Sequence, residues 1–105
     1  MSDIDKFIDA IKNDQFVEAH ELLEHDWKAF KKAGEKEKAK ALQGLINGAT
    51  ALALYKIKNR PEAYKKVWPV FIKYKALLET VQLKDIEKYQ QARDILEEKN
   101  IIIVN

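Results

Sequence analysis

The sequence predicts an all-α fold, a bundle of about five helices built from two antiparallel hairpins. Three observations carry this. Only three glycines and two prolines interrupt 105 residues rich in Ala, Leu, Lys and Glu, which are good helix formers. Apolar residues recur at i, i+3, i+4 and i+7, the period of a helix with one buried face. A segment of the first half also recurs in the second when two residues are skipped. Ile11-Lys12-Asn13 overlays Ile57-Lys58-Asn59, Glu18-Ala19 overlays Glu62-Ala63, and Leu23, Trp27 and Phe30 overlay Val67, Phe71 and Tyr74.

Taken in order, Ser2 or Asp3 can cap a first helix with the stripe Ile4, Phe7, Ile8, Ile11. Asn13-Asp14 ends it and offers an N-cap for a second helix, from about Gln15 to Ala33, closed by Gly34. In that helix Glu18, Glu21 and Glu24 precede Lys28, Lys31 and Lys32, the order that complements the helix dipole. The charged run 35–40 leads into a third helix, ALQGLINGATALALYKI, ending near Asn59. Its Gly44, Gly48, Ala49, Ala51 and Ala53 let another helix come close, which offsets the roughly 1 kcal/mol that each glycine costs the helix. Pro61 suits the first turn of a fourth helix, and Pro69 is expected to kink or split it. Asp85 is placed to cap a fifth helix with Ile86, Tyr89 and Leu96 inward.

One helical domain spanning 1–105 is expected, with 101–105 as an apolar C-terminal tail. Ile101 to Val104 favour β structure. They are read as a tail packed over the core, or as an edge offered to a second copy in a homodimer. The expected core includes Phe7, Ile11, Phe16, Leu23, Trp27 and Phe30 from the first half of the chain. Leu42, Leu45, Ile46 and Leu52 follow, then Val67, Phe71 and Leu78. Each repeat copy reads as helix, Asn-containing turn, helix. This resembles tetratricopeptide hairpins, although the period exceeds the ~34 residues of that repeat.

Composition excludes several functions. Nineteen basic against seventeen acidic residues give a net charge of +2, which argues against nucleic acid as a partner. No apolar run approaches the ~20 residues that cross a bilayer, so no membrane role is expected. The start MSDIDKF lacks the basic and apolar regions of a signal peptide, and a cytoplasmic location is expected. Without cysteine there is no disulfide or thiolate chemistry. One serine, at position 2, rules out a serine triad, and no Gly-rich phosphate loop is present.

Chemically versatile side chains are dense in one stretch, FVEAHELLEHDW, from Phe16 to Trp27. On a helix, Phe16, Ala19, Leu23, Trp27 and Phe30 share the core face. His20 and Glu24, one turn apart, lie on the edge of that face, whereas Glu18, Glu21 and His25 fall on the exposed side. His20 and Glu24 can form a hydrogen-bonded pair that fixes packing, two ligands of a divalent metal, or a general acid–base pair. The string HELLE lacks the second histidine of the HExxH metalloprotease motif. Gln43 is the polar residue near the middle of an otherwise apolar helix, with Asn47 one turn later on nearly the same face. Both are poor metal ligands and good hydrogen-bond partners for His20 or Glu24.

At these residues the chain resembles the family known as domain of unknown function 309, whose members are small all-helical proteins. Its signature is an aromatic residue, then E-A-H-E-x-L-E-x-x-W, then L-Q-G-L-I followed by small residues, then a G-N-x-x-G-A turn. Phe16, Glu18, Ala19, His20, Glu21, Leu23, Glu24 and Trp27 fit the first part, and Leu42 to Ile46 the second. Asn59 and Ala63 fit the third, with Lys58 and Glu62 in place of its glycines. The resemblance extends over residues 4 to 80. It implies a helical bundle and no particular activity. Relatives often carry a further histidine after L-Q-G-L-I, and Ala53 to Tyr55 contain none.

The sequence therefore reads as a non-catalytic helical module that binds a protein or small ligand through a polar cluster of His20, Glu21, Glu24, Trp27 and Gln43. The alternative is a metal-dependent hydrolase with His20 and Glu24 as ligands, assisted by Glu21. Lys28, Lys31, Lys32, Lys36, Lys38 and Lys40 could attract an anion, but Glu35 and Glu37 among them suggest an ordinary solvated face.

Overall fold

Ser2 opens the first helix, α1 (Asp3–Lys12), with a capping box: its hydroxyl accepts from the Asp5 N–H, and the Asp5 carboxylate accepts from the Ser2 N–H. The computed structural model describes residues 1–104. Five further α-helices follow among these residues, and no strand. They are α2 (Phe16–Leu22), α3 (Glu24–Lys32), α4 (Lys36–Lys56), α5 (Pro61–Tyr74) and α6 (Ile86–Ile103). A 3₁₀ segment, Lys75–Glu79, follows α5. The all-α expectation and the two hairpins, α1–α2 and α4–α5, hold.

The turns explain where the helices stop. After α3 the Glu35 N–H returns to the Phe30 carbonyl and the Gly34 N–H to Lys31, with Gly34 at φ +76°. This is a Schellman closure, and it uses the glycine because an L side chain is strained in the left-handed region. Asp14 plays the same part after α1, at φ +58°: its N–H reaches the Ile11 carbonyl and that of Gln15 reaches Ala10. Asn59 takes φ +53° between α4 and α5. Asx residues tolerate this conformation better than other L residues, so both repeat copies turn on one.

Several boundaries depart from the sequence reading. The continuous second helix is interrupted at Leu23, whose φ/ψ of −99°/−3° leaves the helical range. No Gly or Pro marks the spot. Leu23 is fully buried, so packing sets the break and not propensity. Gln15, not Asn13 or Asp14, precedes α2, with no side-chain cap. α4 ends at Lys56, before Asn59, because Asn59 has already left the helix. Asp85 sits at the N-cap of α6 in a left-handed conformation and forms no side-chain cap. α5 runs through Pro69 without splitting, since the proline and Lys65, whose carbonyl it leaves unbonded, are both exposed to water. The Ile-rich tail is not β: Ile101–Ile103 continue α6, and the Val104 N–H bonds to the Asn100 carbonyl at 2.9 Å. A helix satisfies those amides locally, whereas a strand would need a neighbouring strand. Asn105 lies outside the described residues.

α4 is the hub. It packs on α2, α3, α5, the 3₁₀ segment and α6, most extensively on α5. It is accordingly buried on most sides: Ala41, Leu42, Leu45, Ala49, Ala51 and Leu52 are inaccessible. Glycine is required where α5 crosses. A Cβ on Gly44 would lie 3.0 Å from the Cβ of Tyr74, and one on Gly48 would lie 3.0 Å from the tips of Phe71 and Leu96. The expected core is buried in Phe7, Ile11, Phe16, Leu23, Leu42, Leu45, Ile46, Leu52, Phe71 and Leu78. Trp27, Phe30 and Val67 pack against it half-buried.

Candidate functional site

One stripe of α4 escapes the general burial. Gln43, Asn47 and Thr50, at i, i+4 and i+7, are half-buried in a helix whose other central positions are apolar. α2 and α3 lie across this stripe. Between them runs a cleft of about 290 Å³. His20, Glu24 and Trp27 form one wall, and Gln43, Asn47 and Thr50 the other, with Ile46 between.

The geometry fixes what each group can do. His20 Nδ1 lies 2.6 Å from the Val17 carbonyl. A carbonyl only accepts, so Nδ1 carries the hydrogen, and in the neutral ring Nε2 presents its lone pair. That Nε2 faces Glu24 Oε1 at 3.7 Å, beyond hydrogen-bond length, and the two side chains remain 32% and 36% exposed. The expected contact between them is therefore loose and open to solvent. Lys28 Nζ stands 3.9 Å from the other Glu24 oxygen. Thr50 spends its hydroxyl on the Ile46 carbonyl at 2.9 Å. The Trp27 indole N–H is buried and donates to no group among the described residues.

The structure thus brings His20, Glu24, Trp27 and Gln43 together and adds Asn47 to them. Glu21 is not with them; it is exposed and does not line the cleft. Sequence reasoning missed Thr50, although the spacing Gln43, Asn47, Thr50 signals a single polar stripe. Among the described residues no three His, Cys, Asp or Glu side chains meet in a possible metal site. His20 and Glu24 supply two ligands, and the neighbouring carboxamides bind metals weakly. With Glu21 turned away, this donor set does not fit the metal-dependent hydrolase.

The cleft continues past Trp27 and Gln43, which also line a second hollow of about 230 Å³. Lys31 of α3 and Lys36, Ala39 and Lys40 of α4 complete it. Lys31 Nζ lies over the Trp27 ring, 4.6 Å from its centroid.

Fold and cleft together define paired helical hairpins with a polar groove between α2–α3 and α4. The chain belongs to the family described as Domain of unknown function (DUF309), which it matches over residues 4–66. That stretch includes every residue of both hollows and ends within α5, short of the expected residue 80. No curated protein and no solved structure matches the chain.

Proposed function

We propose that this protein is a binding module whose ligand or partner docks in the cleft between α2–α3 and α4, without chemical turnover. One observation supports the reading most. The Gln43 and Asn47 carboxamides and His20 Nε2 line the same cleft, and none of them hydrogen-bonds to another residue among the described ones. Polar groups that merely fix packing are normally satisfied within the chain or by ordered water, and these three are left open to an incoming partner on the solvent side. Here their donors and acceptors face one space, with the apolar Trp27 and Ile46 beside them. Such a mixture of an apolar wall and a few aimed polar groups is what small-ligand and peptide sites share.

The test is a nitrogen-15 NMR titration with water-soluble fragments carrying amide, ammonium, carboxylate or aromatic groups. The chain has two tryptophans, so two indole N–H signals are expected, and Trp27→Phe assigns them. Binding fragments should shift the Trp27 indole signal and the Gln43 and Asn47 side-chain amides. His20→Ala combined with Gln43→Leu should abolish the Trp27 and Asn47 shifts while the spectrum stays folded. Fragment hits that map only elsewhere on the surface would sink the proposal.

A further inference from the structure

The two hollows form one groove with a consistent register. Along α2 and α3 its wall runs His20, Glu24, Trp27, Lys31, and along α4 it runs Thr50, Asn47, Gln43, Lys40, Lys36. Both walls step by four and three residues: one is a single helical stripe on α4, the other continues from α2 into α3 across the Leu23 joint, and the two run antiparallel. Charge separates along the groove. The His20 end carries the Glu24 carboxylate. The far end carries three ammonium groups, those of Lys31, Lys36 and Lys40. Among the described residues none of these three stands within ion-pair distance of a carboxylate, whereas the neighbouring Lys28 and Lys38 do.

Resting on the cleft reading above, we infer that the groove holds an extended peptide segment whose acidic side chains lie at the Lys31/Lys36/Lys40 end. Three features select this occupant. The first is length: along the unbroken α4 bank, from Lys40 to Thr50, the helix advances about 15 Å at ~1.5 Å per residue. That matches about five residues of extended chain at ~3.3 Å each and exceeds a compact metabolite. The second is the pair Gln43 and Asn47, one turn apart mid-groove. Each carboxamide offers a donor and an acceptor side by side, the complement of a peptide unit's own C=O and N–H. The third is charge complementarity at the lysine end, next to the buried Ala39. Nucleic acid would meet the Glu24 carboxylate at the other end, against its phosphates.

The experiment uses the whole chain and three pools of N-acetylated hexapeptides, with four mixed positions followed by Glu-Glu, Gln-Gln or Lys-Lys, and free glutarate as a small-anion control. The Trp27 indole N–H and the Gln43 and Asn47 side-chain amides are the readout. The Glu-Glu pool should shift all three saturably, and glutarate should leave the two carboxamides in place. Lys31→Glu with Lys40→Glu, both on exposed side chains, should weaken binding by about tenfold or more, as should salt near 0.5 M. Equal binding of the Gln-Gln and Lys-Lys pools would overturn the acidic specificity while leaving the cleft as a binding site. Full reproduction of the shifts by glutarate would replace the peptide with a small anion. If no pool moves these signals, the peptide inference is lost, and the fragment titration then decides the cleft itself.

Discussion

At the scale of single residues, Asp14 joins three parts of the chain. Lys56 Nζ lies 2.5 Å from one carboxylate oxygen and Lys99 Nζ 2.7 Å from the other, and Lys99 also donates to the Lys12 carbonyl. Burial pushes the Asp14 carboxyl up, but the hydrogen bonds and charges of Lys56 and Lys99 outweigh it and hold the group below its usual value. The hydrogen bond from Lys88, then that from Ser2, brings Asp5 down to about 2. Both folded values lie below the unfolded 3.8. Each group therefore contributes stability that is fully present above the unfolded value and is lost as pH falls through the folded one. Denaturation midpoints should be flat from about pH 7 to 5 and fall steadily below about pH 4. Asp14→Asn keeps a residue that tolerates positive φ and removes the charge. It should cost about 1 kcal/mol at neutral pH and make the acid-side fall shallower. Asp14→Ala should cost about 1 kcal/mol more, because alanine is strained in the left-handed region.

The His20–Glu24 pair shows what residue-level reading captures. One-turn spacing put both on the half-exposed edge of one helix; both are half-exposed, but on two helices either side of the Leu23 break. Spacing did not reveal that Nδ1 would be committed to the Val17 carbonyl, because that bond is set by the rotamer of His20 on α2.

At the scale of elements, α4 was the most legible. Its small residues foretold a close helix crossing, and Gly44 and Gly48 sit where side-chain carbons of α5 would meet a Cβ. Gly44→Ala should destabilise the protein by about 1–3 kcal/mol, although alanine gains roughly 1 kcal/mol in helix propensity. The neighbour is the Cβ of Tyr74, which cannot move without its backbone. Chemical denaturation compared with a surface Gly34→Asn control would show it. The α2–α3 boundary was not legible, since the interruption follows from burying Leu23 and leaves no compositional mark. The tail is helical, not β, because β-propensity is a weak guide when no partner strand is at hand; its Ile103 and Val104 pack against the core. Ile101 and Ile102 are 68% and 65% exposed on α6. Replacing either by Lys should change stability by no more than about 0.5 kcal/mol.

At the scale of the whole molecule, α6 returns to close the bundle on α1, α4 and the 3₁₀ segment. Lys88 pairs with Asp5 at 2.9 Å, and the Tyr64 hydroxyl donates to Asn100 Oδ1 at 2.6 Å, fastening the last helix to the first and to α5. Tyr64→Phe keeps the stack on Trp68 and the edge-on contact with Tyr55 and loses only that hydrogen bond. It should cost about 1 kcal/mol, read as a lower urea midpoint with an unchanged slope. Helix pairing into hairpins could be read from the repeat and the turn residues, whereas the antiparallel placement of α2–α3 against α4, which makes the groove, is a tertiary fact.

The interruption at Leu23 also decides which side of that groove can give. α4 forms one bank and is gripped from behind by α5, so closely at Gly44 that a methyl group there would press on the Tyr74 Cβ. The opposite bank is two short helices meeting at a joint. Any widening to admit an occupant must therefore come from residues 16–32. Hydrogen exchange in a complex should slow along α2 and α3 and barely change along α4, so that the receptor works as a fixed anvil with one hinged jaw.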